Sequence, residues 1–378
     1  MKTKQIMSSL IIKTLTFVII IFLLQTNFLF GQDPTFSQFF TNRIYYNPAY
    51  AGSHPGMRTR LNYRNQWHNL SSQYNNYTLA IDVAEPNLPG AGGLGLIVHS
   101  DLDGFGNVKT TAASLLASVK IDFSEDFITL FGLGTSYVQR SIDWNGFTYS
   151  DQLDPRYGKI KDISDFPQPD FYKTTYPDFS AGILFRYCET SDYFKHIIAS
   201  IAISAQHVFK PDISFTGLPA RLPMKLIVMG DLLLDNESSR QNIRGSTQKK
   251  GSEFKLNSGF LYEKQGQMTN FSIGLNGYKN YIYTGAWVRT QSFTFQRVHD
   301  LILMVGLNLP FGDNSLIKLR YSYDYVLSQL RRTVGATHEI SLIYELTGFS
   351  FFGSNSIGHR RILSGGTSTQ NCANCPLF

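Results

Sequence analysis

Fourteen stretches of this chain alternate apolar and polar residues with a period of two, and most run 9–14 residues. A period of two is the pleat of a β-strand, whose successive side chains point to opposite faces. Residues 57–67 set Met57, Leu61, Tyr63 and Trp67 on one face and Arg58, Arg60, Asn62, Arg64 and Gln66 on the other. Residues 74–83 set Tyr77, Leu79, Ile81 and Val83 against Asn76, Thr78 and Asp82. Residues 108–123 set Leu115, Ala117, Val119 and Ile121 against Ser114, Ser118, Lys120 and Asp122. The others are 93–100, 127–140, 179–187, 197–207, 222–234, 254–263, 268–277, 281–290, 301–309, 317–326 and 338–346. A tilted strand of about 9–11 residues crosses a bilayer. Aromatics make up 14% of the chain and charged residues only 16%, against roughly 25% charged in soluble proteins. Only helices and closed barrels satisfy their backbone groups in lipid. The expected fold is therefore all-β: a transmembrane antiparallel β-barrel of about 14 strands, a single domain over residues 56–347. The competing fold, a large soluble β-sandwich or barrel, sits poorly with strands this long and this aromatic at their ends. In the membrane barrel, Arg58, Arg60, Arg64, Lys120, Asp82 and Asp122 point into the lumen.

The ends read differently. Residues 1–31 carry Lys2, Lys4 and Lys13, then an apolar run broken only at Thr16 over 15–24, then Gly31. That is the layout of a secretory signal peptide. Three of the charges behind the net +6 lie in this leader. The remaining basic residues are scattered, which is no footprint for nucleic acid. After the leader no run of 18 apolar residues occurs, so no membrane helix is expected. Residues 32–55 alternate like neither strand nor helix, yet hold Phe36, Phe39, Phe40, Tyr45 and Tyr46 before Asn47-Pro48-Ala49-Tyr50-Ala51-Gly52. A segment so aromatic is expected to pack against or inside the barrel, in the periplasm or in the lumen. Residues 348–378 read as a periplasmic tail. An even strand count places both termini in the periplasm and makes alternate turns short. The long aromatic loop 141–177 then falls outside, and the long polar stretch 235–252 is the one connection that departs from the rule.

No constellation for bond-breaking chemistry stands out. There is no Gly-x-Ser-x-Gly elbow, and His338-Glu339 lacks a second histidine at zinc-helix spacing. The glycine-rich 90–95 precedes no helix, so it suits a tight turn and a close strand approach better than a phosphate cradle. Cys372 and Cys375 form a C-x-x-C, which reads as a local disulfide in an exported protein rather than half a zinc site. Cys188 is left over. The chain is read as non-enzymatic, with no cofactor and no bound metal.

The chain resembles the PorP/SprF family, outer-membrane proteins of the type IX secretion and gliding apparatus of Bacteroidetes. The residues that carry the likeness are Gln32-Asp33-Pro34, Phe36-Ser37-Gln38, Asn47-Pro48-Ala49-Tyr50-Ala51-Gly52-Ser53, Asp151-Gln152 with Asp154-Pro155, Tyr321-Ser322-Tyr323-Asp324, Ser328, Leu330, His338-Glu339-Ile340-Ser341-Leu342, and the ending Cys375-Pro376-Leu377-Phe378. The resemblance implies an outer-membrane protein, bound by outer-membrane lipid, that partners a large secreted adhesin with a type B C-terminal domain. It also implies type IX secretion components and periplasmic motor-linked or peptidoglycan-linked proteins as neighbours. The partner-binding or structural positions carried over are Phe36, Asn47, Pro48, Tyr50, Gly52, Asp151, Gln152, Asp154, Pro155, Tyr323, Asp324, His338 and Glu339, and the residues of the outer loop add Trp144. The alternative function is an outer-membrane diffusion channel or a transporter of hydrophobic substrates.

Overall fold

The period-two stretches pair into one closed antiparallel sheet. In the computed structural model, the described residues are 33–351, apart from 71–72, 86–89, 105–107, 125, 167–171, 190–195, 216, 237–253, 292–297, 313 and 329–330. The leader, most of the C-terminal tail and the Cys372/Cys375 pair lie outside them. The strands in chain order are β1 (Gly56–Gln66), β2 (Tyr74–Ala84), β3 (Ala91–Asp103), β4 (Val108–Asp122), β5 (Phe127–Ile142), β6 (Leu153–Asp154), β7 (Gly158–Lys159), β8 (Lys173–Glu189), β9 (His196–Gln206), β10 (Lys225–Asp235), β11 (Phe254–Gln265), β12 (Met268–Lys279), β13 (Ile282–Thr290), β14 (Val298–Pro310), β15 (Ser315–Val326) and β16 (Thr337–Thr347). Among the described residues, fourteen of these close a barrel in which each pairs with its neighbour in sequence and β16 pairs back to β1. The two-residue strands β6 and β7 form a separate small ladder in the loop between β5 and β8. No helix among the described residues is long and apolar enough to cross a membrane.

The pleat sorts the side chains as the alternation requires. Arg58, Arg60, Asn62 and Arg64 of β1 are buried inside, whereas Leu61 and Tyr63 between them are exposed on the outer wall. On β4, Leu115, Ala117, Val119 and Ile121 face out and Ser114 and Ser118 face in. Lys120 and Asp122 continue the inner row but sit at the rim, paired at 3.3 Å, with Asp122 open to solvent. Leu133 on β5 is 70% exposed on the outer wall, near mid-strand. Replacing Leu133 with Arg is expected to cost about 2–4 kcal/mol of stability in lipid. Urea unfolding of the barrel refolded into vesicles measures it, and a cost near zero would mean the wall is not lipid-facing there.

Every expected strand is present, most with ends shifted by one to three residues, and β8 shifts the most. β8 starts at Lys173 rather than 179, because its first eight residues pair with β5 alone and β9 joins only at Ala181. Pro177 therefore sits on a one-sided stretch, where the missing N–H costs no ladder bond. β10 starts at Lys225 rather than 222, after Pro223. The long loop shortens accordingly to residues 143–172.

One end of the barrel bears Gly56 and Thr347; the other bears the loops 67–73, 143–172, 207–224 and 327–336. The two ends of the barrel itself, Gly56 and Thr347, share a side, as an even strand count requires. Asp33 donates its backbone N–H to Gln265 Oε1 at 3.0 Å, at the loop end, while Thr347 ends at the opposite rim. The reason is that residues 33–55 run through the lumen before β1 begins.

Candidate functional site: a filled lumen and a braced outer loop

The inner wall is polar, and an unfilled polar lumen would hold water. Here the aromatic segment fills it. Phe36, Phe39, Ile44, Tyr46 and Tyr50 are 0–1% exposed. Phe39 and Phe40 pack on Trp287 of β13, with ring centroids 5.1 and 4.3 Å away, and Trp287 Nε1 donates to Asn276 at 2.8 Å. One helical turn, Arg43–Tyr46, brings Arg43 onto Asp231 of β10 at 3.0 Å and its guanidinium over the rings of Phe40 and Tyr50. Lower down, Gly52 N donates to Asp82 at 3.1 Å, and His54 Nε2 lies 3.7 Å from Glu345. The segment thus touches the wall from the loop end, at Asp33, to the opposite end, at His54.

Asn47, Pro48 and Tyr50 form the tightest seat. Asn47 caps the short 3-10 turn Pro48–Tyr50: its Oδ1 accepts from Ala49 N at 2.8 Å. Its Nδ2 donates to the carbonyls of Ile183 and Ile203 at 3.2 and 3.1 Å. The wall is notched to receive this turn. Gly132 of β5 pairs with Gly182 of β8. A Cβ on Gly132 would stand 2.1 Å from Ala49 N, and one on Gly182 would stand 2.1 Å from Asn47 Oδ1. A glycine inside a strand marks such a close backbone approach. Gly52, at φ +65°, lies against Gly92 and Gly93 in the same way, so the glycine-rich 90–95 serves packing.

Near the loop end a cluster of buried charges clamps the start of the segment. Glu339 of β16 accepts from Ser37 N at 2.7 Å, Gln38 N at 3.2 Å and Asn62 Nδ2 at 2.8 Å. Arg64 Nε lies 3.6 Å from Glu339 and Arg64 Nη2 4.0 Å from Asp324 of β15. Arg289 of β13 reaches Asp324 at 3.4 Å and donates to Phe36 O at 3.2 Å, and the Ser37 hydroxyl donates to Asp324. Three motifs far apart in sequence meet at this point. The pleat also splits two of them. Tyr323 and His338 face outward, with His338 Nδ1 2.8 Å from the Tyr321 hydroxyl and its ring against Tyr323 and His68. Asp324 and Glu339 face the lumen, as do Ser322 and Ser341.

Asp33 holds the mouth. Its Oδ2 is 2.6 Å from His207 Nε2, and His207 Nδ1 is 2.9 Å from Asp178. Burial alone would lower the His207 pKa, but the Asp33 and Asp178 carboxylates raise it from 6.5 to about 10. Burial would raise Asp33, and His207 with Lys225 and His99 brings it below the usual carboxylate range instead. A raised histidine stabilises fully below its unfolded pKa and loses that contribution as pH rises through the folded value. A lowered carboxylate stabilises above its unfolded pKa and loses the contribution in acid. The stability difference between the wild-type chain and His207→Asn should therefore be largest from about pH 4 to 6.5 and fade by about pH 10. Melting temperatures across that range test it; a difference that grows with pH would contradict the arrangement.

The other sequence-marked residues belong to the outer loop, and most of them brace it. Gln152 is buried, accepts from Tyr149 N at 2.8 Å and donates to Asp162 O at 2.9 Å. Asp151 accepts from the Ser164 hydroxyl at 2.8 Å and Asp165 N at 2.7 Å. Asp154 accepts from Arg156 N and Tyr157 N, closing the turn through Pro155 that joins β6 to β7. Trp144 is half-buried beside Phe147, and its carbonyl accepts from the Tyr149 hydroxyl. The brace leaves Tyr157, Ile160, Ile163 and Phe166 51–78% exposed, among the exposed charges of Lys159, Lys161, Asp162 and Asp165.

Trp287, Arg289, Asp231 and the paired Gly132 and Gly182 were not marked by sequence reasoning. Parity along β13 carries the only signal for the first two, since Trp287 and Arg289 share the inward row. Among the described residues no group of His, Cys, Asp and Glu could hold a metal ion.

No curated protein matches the chain. Solved barrels share its outline only. CdiB from Acinetobacter baumannii is 9% identical over 76% of this chain, with a TM-score of 0.41, and the chain spans 60% of that protein, less than two thirds. The CymD monoaromatic hydrocarbon channel is 9% identical over 82% of this chain and 93% of its own, TM-score 0.42. A Pseudomonas aeruginosa FadL homologue is 11% identical over 81% and 94%, TM-score 0.35. The profile of the family described as type IX secretion system membrane protein PorP/SprF matches residues 29–344. That match takes in the lumen segment, the outer loop and nearly all of the barrel, and the chain belongs to the PorP/SprF family, the non-catalytic outer-membrane β-barrels of the type IX secretion and gliding-motility machinery.

Proposed function

We propose that this barrel binds a secreted, surface-destined polypeptide at its loop end, a large adhesin with a type B C-terminal domain, and supports its export or surface anchoring. The observation that carries the reading is the exposure of Tyr157, Ile160, Ile163 and Phe166 on a loop already braced from within. Exposed apolar and aromatic side chains that their own loop does not cover suit a protein partner, and aromatic anchors supply most of the energy at such contacts. Asp151, Gln152, Asp154 and Pro155 then hold the docking surface rather than touch the partner, with Trp144 as its footing. Phe36, Asn47, Pro48, Tyr50, Gly52, Asp324 and Glu339 keep the lumen filled, and Tyr323 and His338 belong to the aromatic outer wall. A filled lumen argues against a diffusion channel or a hydrophobic-substrate transporter, since passage requires displacing residues 33–55.

In this reading the end that bears Gly56 and Thr347 faces the periplasm. The tail 348–378 reaches type IX components there, motor-linked or peptidoglycan-linked. The leader must be cut before the barrel closes, because Asp33 ends on the far side. An epitope placed ahead of Asp33 in the mature chain should be reached by antibody on intact cells, and one after Phe378 only after permeabilisation. The reverse labelling would invert the orientation.

Deletion of the gene in its host tests the function. Loss of one large adhesin from the surface with small-molecule uptake intact is expected. Normal display of all adhesins beside a specific uptake defect would favour the transporter.

A further inference from the structure

Beside the Asp33 end of the lumen segment lies a cavity of ≈ 90 Å³, counted by the positions a water centre can take. One water occupies roughly 10–15 Å³ on that measure, so the space holds several heavy atoms. Its lining is of mixed chemistry. Ile97, Ala112, Leu116, Val138 and Tyr176 are the apolar part, with Thr110, Ser114, Ser136 and Ser180 among them. Over Ala112, Val138 and Tyr176 packs Ile213 of the loop 207–224, whose carbonyl accepts from Arg140 at 3.4 Å. Asp33, Asp101 and Asp178 line the space too, with His99 and His207. One imidazole, His207, is shared between Asp33 and Asp178. Asp178 is 7% exposed, and only its Oδ2 meets His207; Oδ1 is buried without a hydrogen-bond partner. A buried carboxylate oxygen left unpaired is costly, so a donor belongs there.

We propose that this cavity is a binding site for a primary alkylammonium group, its carbon stem along Leu116 and Val138 and its charge on Asp178. A short stem with one cationic end matches apolar side chains beside an unpaired carboxylate oxygen in a space of this size. The group could arrive as a soluble amine or as a lysine side chain of a docking polypeptide. The site does not depend on the secretion reading: a barrel of either function could hold it.

The test uses the full mature chain refolded in detergent, with calorimetric titration of n-butylammonium, 1-butanol and a capped lysine tripeptide. Saturable binding of n-butylammonium is expected, with none of 1-butanol. Asp178→Asn should weaken it at least tenfold. Val138→Phe, which fills the cavity and leaves every charge, should abolish it. Val138→Phe alone decides the matter if Asp178→Asn does not fold, as judged by heat-shifted gel mobility. Binding of the tripeptide as well would make the source a polypeptide; binding of n-butylammonium alone would make it a soluble amine. No saturable binding of either amine, equal binding of 1-butanol, or affinity unchanged by Val138→Phe would leave a water-filled cavity only and overturn the proposal.

Discussion

Removal of residues 33–52 is expected to turn a closed barrel into a conducting and much less stable one. The inner wall is lined by buried polar and charged side chains, among them Arg58, Arg60, Arg64, Asp82, Lys318 and Arg320. Without the segment these groups would face water, as in porins, whose polar interiors conduct. The stability cost follows from the side chains removed. Phe36, Phe39, Ile44, Tyr46 and Tyr50 are essentially inaccessible, and each such burial contributes roughly 1.5–3 kcal/mol. The gross loss is thus on the order of 10 kcal/mol, partly offset by the chain entropy no longer spent on ordering twenty residues. Conductance in planar bilayers should rise from near zero to stable open steps, and the urea midpoint should fall. An unchanged closed state with unchanged melting would show the segment to be a dispensable arm.

Replacing Glu339 with Ala is expected to be the most damaging single substitution in the lumen. Its side chain is 0% exposed and takes part in four interactions at once: with Ser37 N, Gln38 N, Asn62 Nδ2 and Arg64. Removing one partner of a buried ion pair costs about 3–5 kcal/mol, because the other charge stays buried and uncompensated. Arg64 would keep Gln66 Oε1 at 2.7 Å and only one carboxylate, Asp324 at 4.0 Å, which Arg289 and the Ser37 hydroxyl already share. The loss should be local before it is global. Protease cleavage between residues 33 and 46, blocked in the closed barrel, should appear at denaturant concentrations where β-sheet circular dichroism is still intact. The coupled variant Arg64→Met with Glu339→Leu should recover part of the loss, since replacing a whole buried pair with apolar groups is often close to neutral. If Glu339→Ala melts within about 0.5 kcal/mol of wild type, a range typical of surface changes, the clamp carries no weight.

The strand pattern was legible because the pleat has a period of two and the membrane makes the two faces chemically opposite. Arg58, Arg60 and Arg64 could be assigned inward from β1 alone, with Leu61 and Tyr63 outward, since any other register would bring charge into lipid. The aromatic load of residues 33–55 also announced burial. Its path did not follow from the sequence. Nothing local to Asp33 says that it meets His207 and Gln265, 174 and 232 residues away, at the end of the barrel opposite β1. Nor does the text of His338-Glu339 say that neighbours in sequence are separated by the wall, one against Tyr321 outside and one against Ser37 inside. The notch at Gly132 and Gly182 exists only once β5 and β8 are paired across a 30-residue connection, which aligns two glycines that look unremarkable apart. Alternation is a property of each strand and is decided by the nearest neighbours along the chain. The filling of the lumen is decided by shape and charge across the closed circle, where contacts join residues that only barrel closure brings within reach.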